Sequence, residues 1–161
     1  MPLQVKTIKP PHGISRFFYR LPIGLYRLGL GWMLGKRAVR LDHIGRKSGV
    51  ERHVVLEVVR YEKETGACVV AVGFGKRSDW YLNITENPRI GFTIGTTYRK
   101  GTAVRLSDEE AGQELVQYEK QHPLAWKELA QFMGYKVDGT EADTLALGKF
   151  IPMFKLVPDE S

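Results

Sequence analysis

Short hydrophobic runs separated by polar turns fill the middle of the chain and predict β-strands. Residues 38–44 alternate loosely between apolar and polar positions, and residues 53–60 and 67–72 are valine-rich runs typical of strands buried on most of their surface. Residues 90–94 and 98–106 predict another antiparallel pair around a glycine-containing turn. The pattern therefore indicates antiparallel hairpins in this part of the chain.

Helix signals lie between and after these strands. Ser78 and Asp79 are suited to cap a helix over residues 80–87, which Pro88 ends. Ser107 and Glu110 form a capping-box pattern for a helix that stops before Pro123.

The C-terminal third begins with a second helical pattern, residues 124–134, followed by a mixed loop with a short helix over residues 136–148. Residues 150–157 predict a last strand, which Pro152 restricts to an edge or a bulge. With about six strands and helices inserted between them, the sequence predicts an α+β barrel-like fold and one domain over residues 1–161.

The N-terminal part has a different pattern. Residues 1–13 predict an extended arm, and residues 14–37 an apolar and basic helical segment in which Pro22 begins a helix. Its most apolar stretch, residues 21–35, is interrupted by Arg27 and is shorter than the ~20 residues that span a bilayer. Packing against the domain is the preferred interpretation, and peripheral contact with a membrane surface is the alternative.

Charge is distributed unevenly along the chain. Of 24 basic and 18 acidic side chains, ten basic and one acidic lie in residues 1–50, giving that part a charge of +9 within a total of +6. Such asymmetry favours an anionic partner, which nucleic acid, lipid or a phosphorylated cofactor would provide, although a solvated basic surface is the commoner outcome. The strands are rich in valine rather than in interleaved aromatic and basic residues, which argues against nucleic acid.

The familiar catalytic and metal-binding motifs are missing. No HExxH, Walker A, GxGxxG or GxSxG pattern occurs, and the four histidines lack close metal-ligand spacing, so no metal site is predicted. His43 and His53 flank a basic turn and are interpreted by default as ordinary strand histidines. The single cysteine, Cys68, excludes an intrachain disulfide and fits a reducing, cytoplasmic setting.

Two glycine-rich basic loops carry the candidate chemistry. In the first, residues 45–49 (GRKSG), two glycines allow a tight turn, while Arg46, Lys47 and Ser48 supply charge and hydrogen-bond donors for an anion. The second, residues 73–80 (GFGKRSDW), opens a helix whose N-terminus itself favours anions. Two such loops predict a cradle for a phosphate-bearing cofactor.

The combination of GRKSG, an apolar strand, a glycine–basic loop, residues 80–83 (WYLN) and residues 87–88 (NP) resembles the deazaflavin-dependent nitroreductase and quinone reductase family. The resemblance implies a split antiparallel β-barrel with an N-terminal helix and inserted and C-terminal helices, using coenzyme F-420. It covers residues 38–106 closely. The strand departs from the family's frequent proline–leucine pair, because Val55 and Leu56 stand there.

The resemblance also implies roles for particular residues. The phosphate and acidic tail of the cofactor would be held by Arg46, Lys47, Ser48 and Gly49, with Gly75, Lys76 and Arg77 closing over the same group. Trp80 and Asn83 would shape the cofactor site, and Val54, Val55 and Leu56 would line the deazaflavin ring.

Hydride transfer from the reduced deazaflavin needs no side-chain nucleophile, in agreement with the missing catalytic motifs. An apolar acceptor, a quinone or nitroaromatic compound, is expected beside the ring against Trp126, Phe132, Met133 or Tyr135, for which core packing is at least an equal interpretation. Tyr81 and Tyr135 are candidates, by residue type alone, to donate a proton or hydrogen bond to the reduced acceptor.

Two alternatives stay open at this point. Split barrels also bind flavins, so FMN is the alternative cofactor, although the long acidic tail of coenzyme F-420 makes better use of the +9 region. A non-catalytic basic module on a membrane surface, or one that binds another anion, is the second alternative. A homodimer and a cytoplasmic location are also expected. Membrane contact would place the protein at the inner face of the cell membrane.

Overall fold

Six antiparallel strands close into a barrel in the computed structural model, which describes residues 3–4, 37–72, 78–132, 135–136 and 139–160. In chain order the strands are β1 (Leu3–Gln4), β2 (Ala38–Ile44), β3 (Glu51–Tyr61), β4 (Cys68–Ala71), β5 (Arg89–Ile94), β6 (Thr97–Arg105), β7 (Tyr135–Lys136) and β8 (Met153–Pro158). The barrel order is β2-β3-β4-β8-β6-β5, with β5 returning to β2, and β1 pairs with β7 outside it. The α+β barrel predicted from the sequence is confirmed.

Four α-helices are present among the described residues: α1 (Asp79–Glu86), α2 (Asp108–Gln121), α3 (Pro123–Phe132) and α4 (Glu141–Ala146), which runs into a 3-10 turn at Leu147–Lys149. The predicted capping box is formed at α2, where Ser107 Oγ accepts from the Glu110 N–H and the Glu110 side chain accepts from the Ser107 N–H, both at 3.1 Å. Ser78 occupies the N-cap position of α1 without a side-chain capping bond.

Strand β4 separates two hydrophobic clusters because both of its faces are covered. Cys68 and Val70 point into the barrel interior, where they meet Val39, Leu41 and other apolar side chains. Val69, between them, points outward into a second cluster that α2, α3 and the 3-10 turn build. This double burial explains why β4 is an unbroken apolar run rather than an alternating one.

Helix α2 and the 3-10 turn pack backbone against backbone. A Cβ atom at Gly148 would collide with the carbonyl oxygen of Asp108, and would lie 2.5 Å from the amide nitrogen of Gly112. A Cβ atom at Gly112 would in turn lie 2.6 Å from the carbonyl oxygen of Leu145. Two glycines are therefore what allow the helical layer to close.

The sequence predicted that Pro152 restricts the last strand to an edge or a bulge. In the structure Pro152 lies outside that strand, which has a neighbour on each side. The final strand begins one residue later, at Met153, and the Pro152 carbonyl accepts a 2.8 Å hydrogen bond from the Val72 N–H. Pro152 has no N–H to donate to the ladder, and it precedes the strand and contributes only its carbonyl.

A charged network fastens α2 to the outside of the barrel. Arg60 on β3 contacts Glu114 of α2 through Nε at 2.9 Å and through a terminal nitrogen at 2.8 Å, and also contacts Glu62 at 3.0 Å. Lys155 on β8 lies 3.0 Å from the same Glu62 oxygen, Oε1. These contacts raise the pKa of Arg60, chiefly through Glu114.

This network makes stability depend on pH. The hydrogen bonds from Lys155 first, and then Arg60, lower the pKa of the Glu62 carboxyl from 4.5 to about 2. Because the pKa is depressed in the folded state, Glu62 contributes stability above pH 4.5 that is lost as the pH falls toward 2. We expect the free energy of unfolding to decline over this interval, and Glu62→Gln to flatten the decline, in denaturant titrations at successive pH values.

The exposed Glu64 in the same turn gives the matched control, since Glu64→Gln removes a carboxyl without breaking an ion pair. Equal pH profiles for the two variants would contradict the role of Glu62.

The predicted extended arm and N-terminal helix lie outside the described residues, apart from Leu3, Gln4 and Arg37. Within the part of the chain that the structure describes, no helix is both long and apolar enough to cross a membrane.

Candidate functional site

The glycine-bracketed turn at residues 45–49 joins β2 to β3 as a tight loop. The Gly45 N–H donates to the Val50 carbonyl at 2.9 Å, and the Gly49 N–H donates to the Gly45 carbonyl at 2.8 Å. Gly49 has a φ of 69°, the left-handed region that a side chain would strain. Ser48 Oγ accepts from the Val50 N–H at 3.2 Å, and Lys47 is exposed at the tip. The turn thus presents a cation on a fixed backbone.

Arg46 is held against helix α1 rather than extended into solvent. Asn83 Oδ1 accepts from the Arg46 backbone N–H at 3.0 Å and from its guanidinium at 2.9 Å. The guanidinium also lies 3.4 Å from the exposed carboxylate of Asp79. The Arg46 side chain is 22% exposed. Asn83, 37 residues away in sequence, therefore fixes both the turn and its arginine.

The other end of the Asn83 amide contacts His43 on β2. Asn83 Nδ2 lies 3.0 Å from His43 Nδ1, and the exposures of the two side chains are 3% and 4%. Burial, reinforced by the charge of His53, lowers the pKa of His43 from 6.5 to about 4. The imidazole is therefore neutral at pH 7, and its Nδ1 accepts the amide N–H.

Of the second predicted loop the structure describes only the flanking residues, because Gly75, Lys76 and Arg77 lie outside the described residues. The helix that it opens, α1, begins beside the first turn, since Asp79 and Asn83 both contact Arg46. The structure thus brings the GRKSG turn to the N-terminal half of α1.

Trp80 and Tyr81 of α1 both pack on Phe154 of β8. The Trp80 ring is edge-on to Phe154 with centroids 6.5 Å apart and is buried in the barrel core. The Tyr81 ring lies 5.7 Å from Phe154 and stays half-buried, and its hydroxyl accepts from Arg105 at 3.1 Å. Trp80 therefore supports the helix from beneath, while the Tyr81 hydroxyl lies near solvent.

The three β3 residues expected to line a ring do not share one face. Val54 and Leu56 pack against the barrel core, whereas Val55, between them, lies on the outer face of the strand. Its partner in the β2–β3 register is Arg40. All three are half-buried. A flat ring therefore meets side chains of either Val54 and Leu56 or Val55, and not of all three.

An ion-pair cluster on the outer face of β2 and β3 was not found from the sequence. Asp42 lies opposite His53 in the strand register, with its Oδ1 2.7 Å from His53 Nδ1 and 3.0 Å from Arg40 Nε. Asp42, Glu51 and His53 are close enough to share a metal ion, but the Arg40 guanidinium already occupies the Asp42 oxygen. The cluster contains the Arg40–Asp42 ion pair. Only the pairing register, which sequence does not reveal, brings it together.

The four residues proposed for the acceptor lie at α3 and β7. The Trp126 side chain is 2% exposed within the helical cluster, and its indole N–H has no hydrogen-bond partner among the described residues. Tyr135 is half-buried, burial raises its pKa, and its ring lies 6.5 Å from that of Phe150, which is 49% exposed. The Phe132 side chain and Met133 are not among the parts of the chain that the structure describes. Trp126 is thus a core residue, and Tyr135 lies at the edge of the core.

The closed barrel and its helical layer form a split-barrel fold of the α+β class. Residues 20–132 match the family described as F-420H(2)-dependent quinone reductase, and the chain belongs to this family. It is therefore an oxidoreductase whose cofactor is coenzyme F-420, as the resemblance implied.

Solved structures share the fold at low sequence identity. A structure titled F-420-H2 Dependent Reductase (FDR-A) is 24% identical, with a TM-score of 0.52, covering 76% of this chain and 96% of that one. A domain-swapped dimer is 21% identical, with a TM-score of 0.54, covering 89% of this chain and 99% of that one. A protein of unknown function from Agrobacterium tumefaciens is 15% identical, with a TM-score of 0.54, covering 94% of this chain and 60% of that one. No curated protein matches the chain.

Proposed function

We propose that the protein transfers a hydride from reduced coenzyme F-420 to an apolar acceptor, a quinone or nitroaromatic compound, and that the GRKSG turn anchors the coenzyme. The observation that carries this proposal is the contact of Asn83 with Arg46, which holds a guanidinium beside the exposed Lys47 and Ser48. A prepositioned fork of donors loses little conformational freedom when it binds a phosphate.

The residues of the turn fit an anionic cofactor tail. Among the described residues, Asn83 and Asp79 are the only hydrogen-bond partners of the Arg46 guanidinium, which has five N–H donors. The contact with Asp79 is long, at 3.4 Å, and exposed, so an incoming phosphate competes with it easily. Lys47 supplies further charge at the tip, and Lys76 and Arg77 belong to the same proposed anchor with Gly49 and Gly75.

When bound, the reduced deazaflavin supplies the hydride, and the protein supplies position and electrostatics. Val54 and Leu56 shape the ring side of the site in this proposal, while Asn83 holds the phosphate anchor and Trp80 supports α1. Tyr81 and Tyr135 are the proposed proton or hydrogen-bond donors. The Tyr81 hydroxyl is near solvent, and its contact with Arg105 leaves its own proton available to an acceptor oxygen.

The acceptor is proposed to lie against Tyr135, Phe132, Met133 or Trp126. The family description supports a quinone. A homodimer is also proposed, since one protein of the same fold is titled a domain-swapped dimer. Peripheral membrane contact through residues 14–37 stays a prediction.

Titration calorimetry with coenzyme F-420 and with FMN tests the cofactor assignment. We expect coenzyme F-420 to bind about tenfold more tightly, because two or three additional surface ion pairs of ~0.5 kcal/mol each add up to one order of magnitude. The difference should shrink at high salt, since exposed charges are screened. Tighter binding of FMN, or no binding of coenzyme F-420 at either salt concentration, would overturn the proposal.

A further inference from the structure

We propose that His43 is a positioning residue for coenzyme binding, because it orients the Asn83 amide so that its oxygen faces Arg46. This inference rests on the proposed function, in which Arg46 contacts the coenzyme phosphate. His43 lies on β2 beneath the turn and would act through Asn83.

The contacts around Asn83 determine which way its amide points. Oδ1 receives two N–H groups of Arg46, at 3.0 and 2.9 Å, and only an oxygen can accept them. Nδ2 is then directed at His43 Nδ1, 3.0 Å away, which must accept and therefore carries no proton. The ring proton of neutral His43 consequently sits on Nε2.

Reversal of the amide would release Arg46. The Asn83 NH2 group would then face the Arg46 N–H groups, placing donors against donors, and the guanidinium would turn toward solvent. An acceptor at the position of His43 Nδ1 prevents this reversal, since a buried amide N–H without a partner is costly. The orientation of the Asn83 amide, and with it the position of Arg46, therefore depends on an unprotonated Nδ1 at His43.

The surroundings of His43 favour its neutral form. The charged groups that act on it are His53 and Arg52, which oppose protonation, and Asp42 and Asp79, which favour it. Burial is the largest single influence, and it also opposes protonation. Protonation would turn Nδ1 into a donor and force the Asn83 amide to reverse.

Two substitutions separate positioning from simple packing. His43→Leu removes the acceptor and keeps a similar volume, whereas His43→Asn places an amide oxygen near the position of Nδ1. We expect His43→Leu to weaken coenzyme F-420 binding about tenfold, the order of one hydrogen bond to a charged group, and His43→Asn to recover most of the loss. Calorimetry measures both, after thermal unfolding has verified that each variant folds.

A phosphate-free deazaflavin gives the matched ligand. Its affinity should be unchanged in His43→Leu, because the positioning acts only at the phosphate anchor. In an Arg46→Ala background, His43→Leu should have no further effect on coenzyme F-420 binding, because the group being positioned is gone. A further readout is pH: wild-type affinity should fall relative to His43→Asn as the pH drops toward 4.

The outcomes distinguish this inference from the proposed function. If wild-type protein does not bind coenzyme F-420, the proposed function fails. If wild-type protein binds and His43→Leu binds equally well, or loses affinity for both ligands alike, His43 does not position Arg46. Failure of His43→Asn to recover affinity while it remains folded would also overturn the inference.

Discussion

Replacement of Arg46 by alanine is expected to weaken binding of coenzyme F-420 about one hundredfold. Each hydrogen bond from a charged donor to an anion contributes ~1.5 kcal/mol or more, and a guanidinium makes two such bonds to a phosphate, which gives about two orders of magnitude. Asn83 holds Arg46 in place before binding, so little of this energy is spent on ordering the side chain. Calorimetric titration of the wild-type and variant proteins measures the difference.

Two other substitutions serve as controls for Arg46→Ala. Arg99→Ala removes an arginine whose guanidinium lies against Gly66, in the β3–β4 turn, and should leave affinity unchanged. Lys47→Ala should cost only about fivefold, since an exposed lysine contributes up to ~1 kcal/mol. If Arg46→Ala binds the coenzyme as well as Arg99→Ala does, the turn is not the anchor.

Gly148→Ala is expected to lower the free energy of unfolding by about 3 kcal/mol, near the upper end of the cost of overpacking. The added Cβ would meet backbone atoms on α2: the Asp108 carbonyl oxygen, and the Gly112 nitrogen and Cα at 2.5 and 2.8 Å. Backbone in a capped helix cannot rotate away as a side chain would, so α2 and the 3-10 turn must separate. Urea unfolding followed by circular dichroism measures the change.

Lys149→Ala, at the exposed neighbouring position, provides the control and should change the free energy of unfolding by less than ~0.5 kcal/mol. Equal stability of Gly148→Ala and the wild-type protein would show that the two backbones have room to spare.

Much of the barrel follows from local sequence. The valine-rich runs predict β3 and β4, of which β4 is buried on both faces and β3 is mostly half-buried, and the Ser107–Glu110 pattern predicts the start of α2. The order of strands around the barrel does not follow, since β4 pairs with β8 across about 85 residues of chain. Pro152 was misplaced for the same reason: closure of the barrel cannot be read from one strand.

The site was predicted less completely than the fold. Family resemblance pointed to Arg46 and Asn83, but their mutual contact depends on how α1 lies against the β2–β3 turn. His43 was interpreted as an ordinary strand histidine because its acceptor role arises only from the position of Asn83. For Trp126 the sequence left acceptor contact and core packing both open, and the structure packs its side chain in the helical cluster.

Closure of the barrel also limits how this protein associates with other chains. Each of the six barrel strands has a hydrogen-bonded neighbour on both sides over at least part of its length, although among the described pairings residues 51–57 of β3 pair with β2 alone. Where a strand is paired on both sides, its backbone is not available to an incoming peptide, and β-augmentation is blocked there. Over those stretches a partner must instead recognise side chains on the barrel surface.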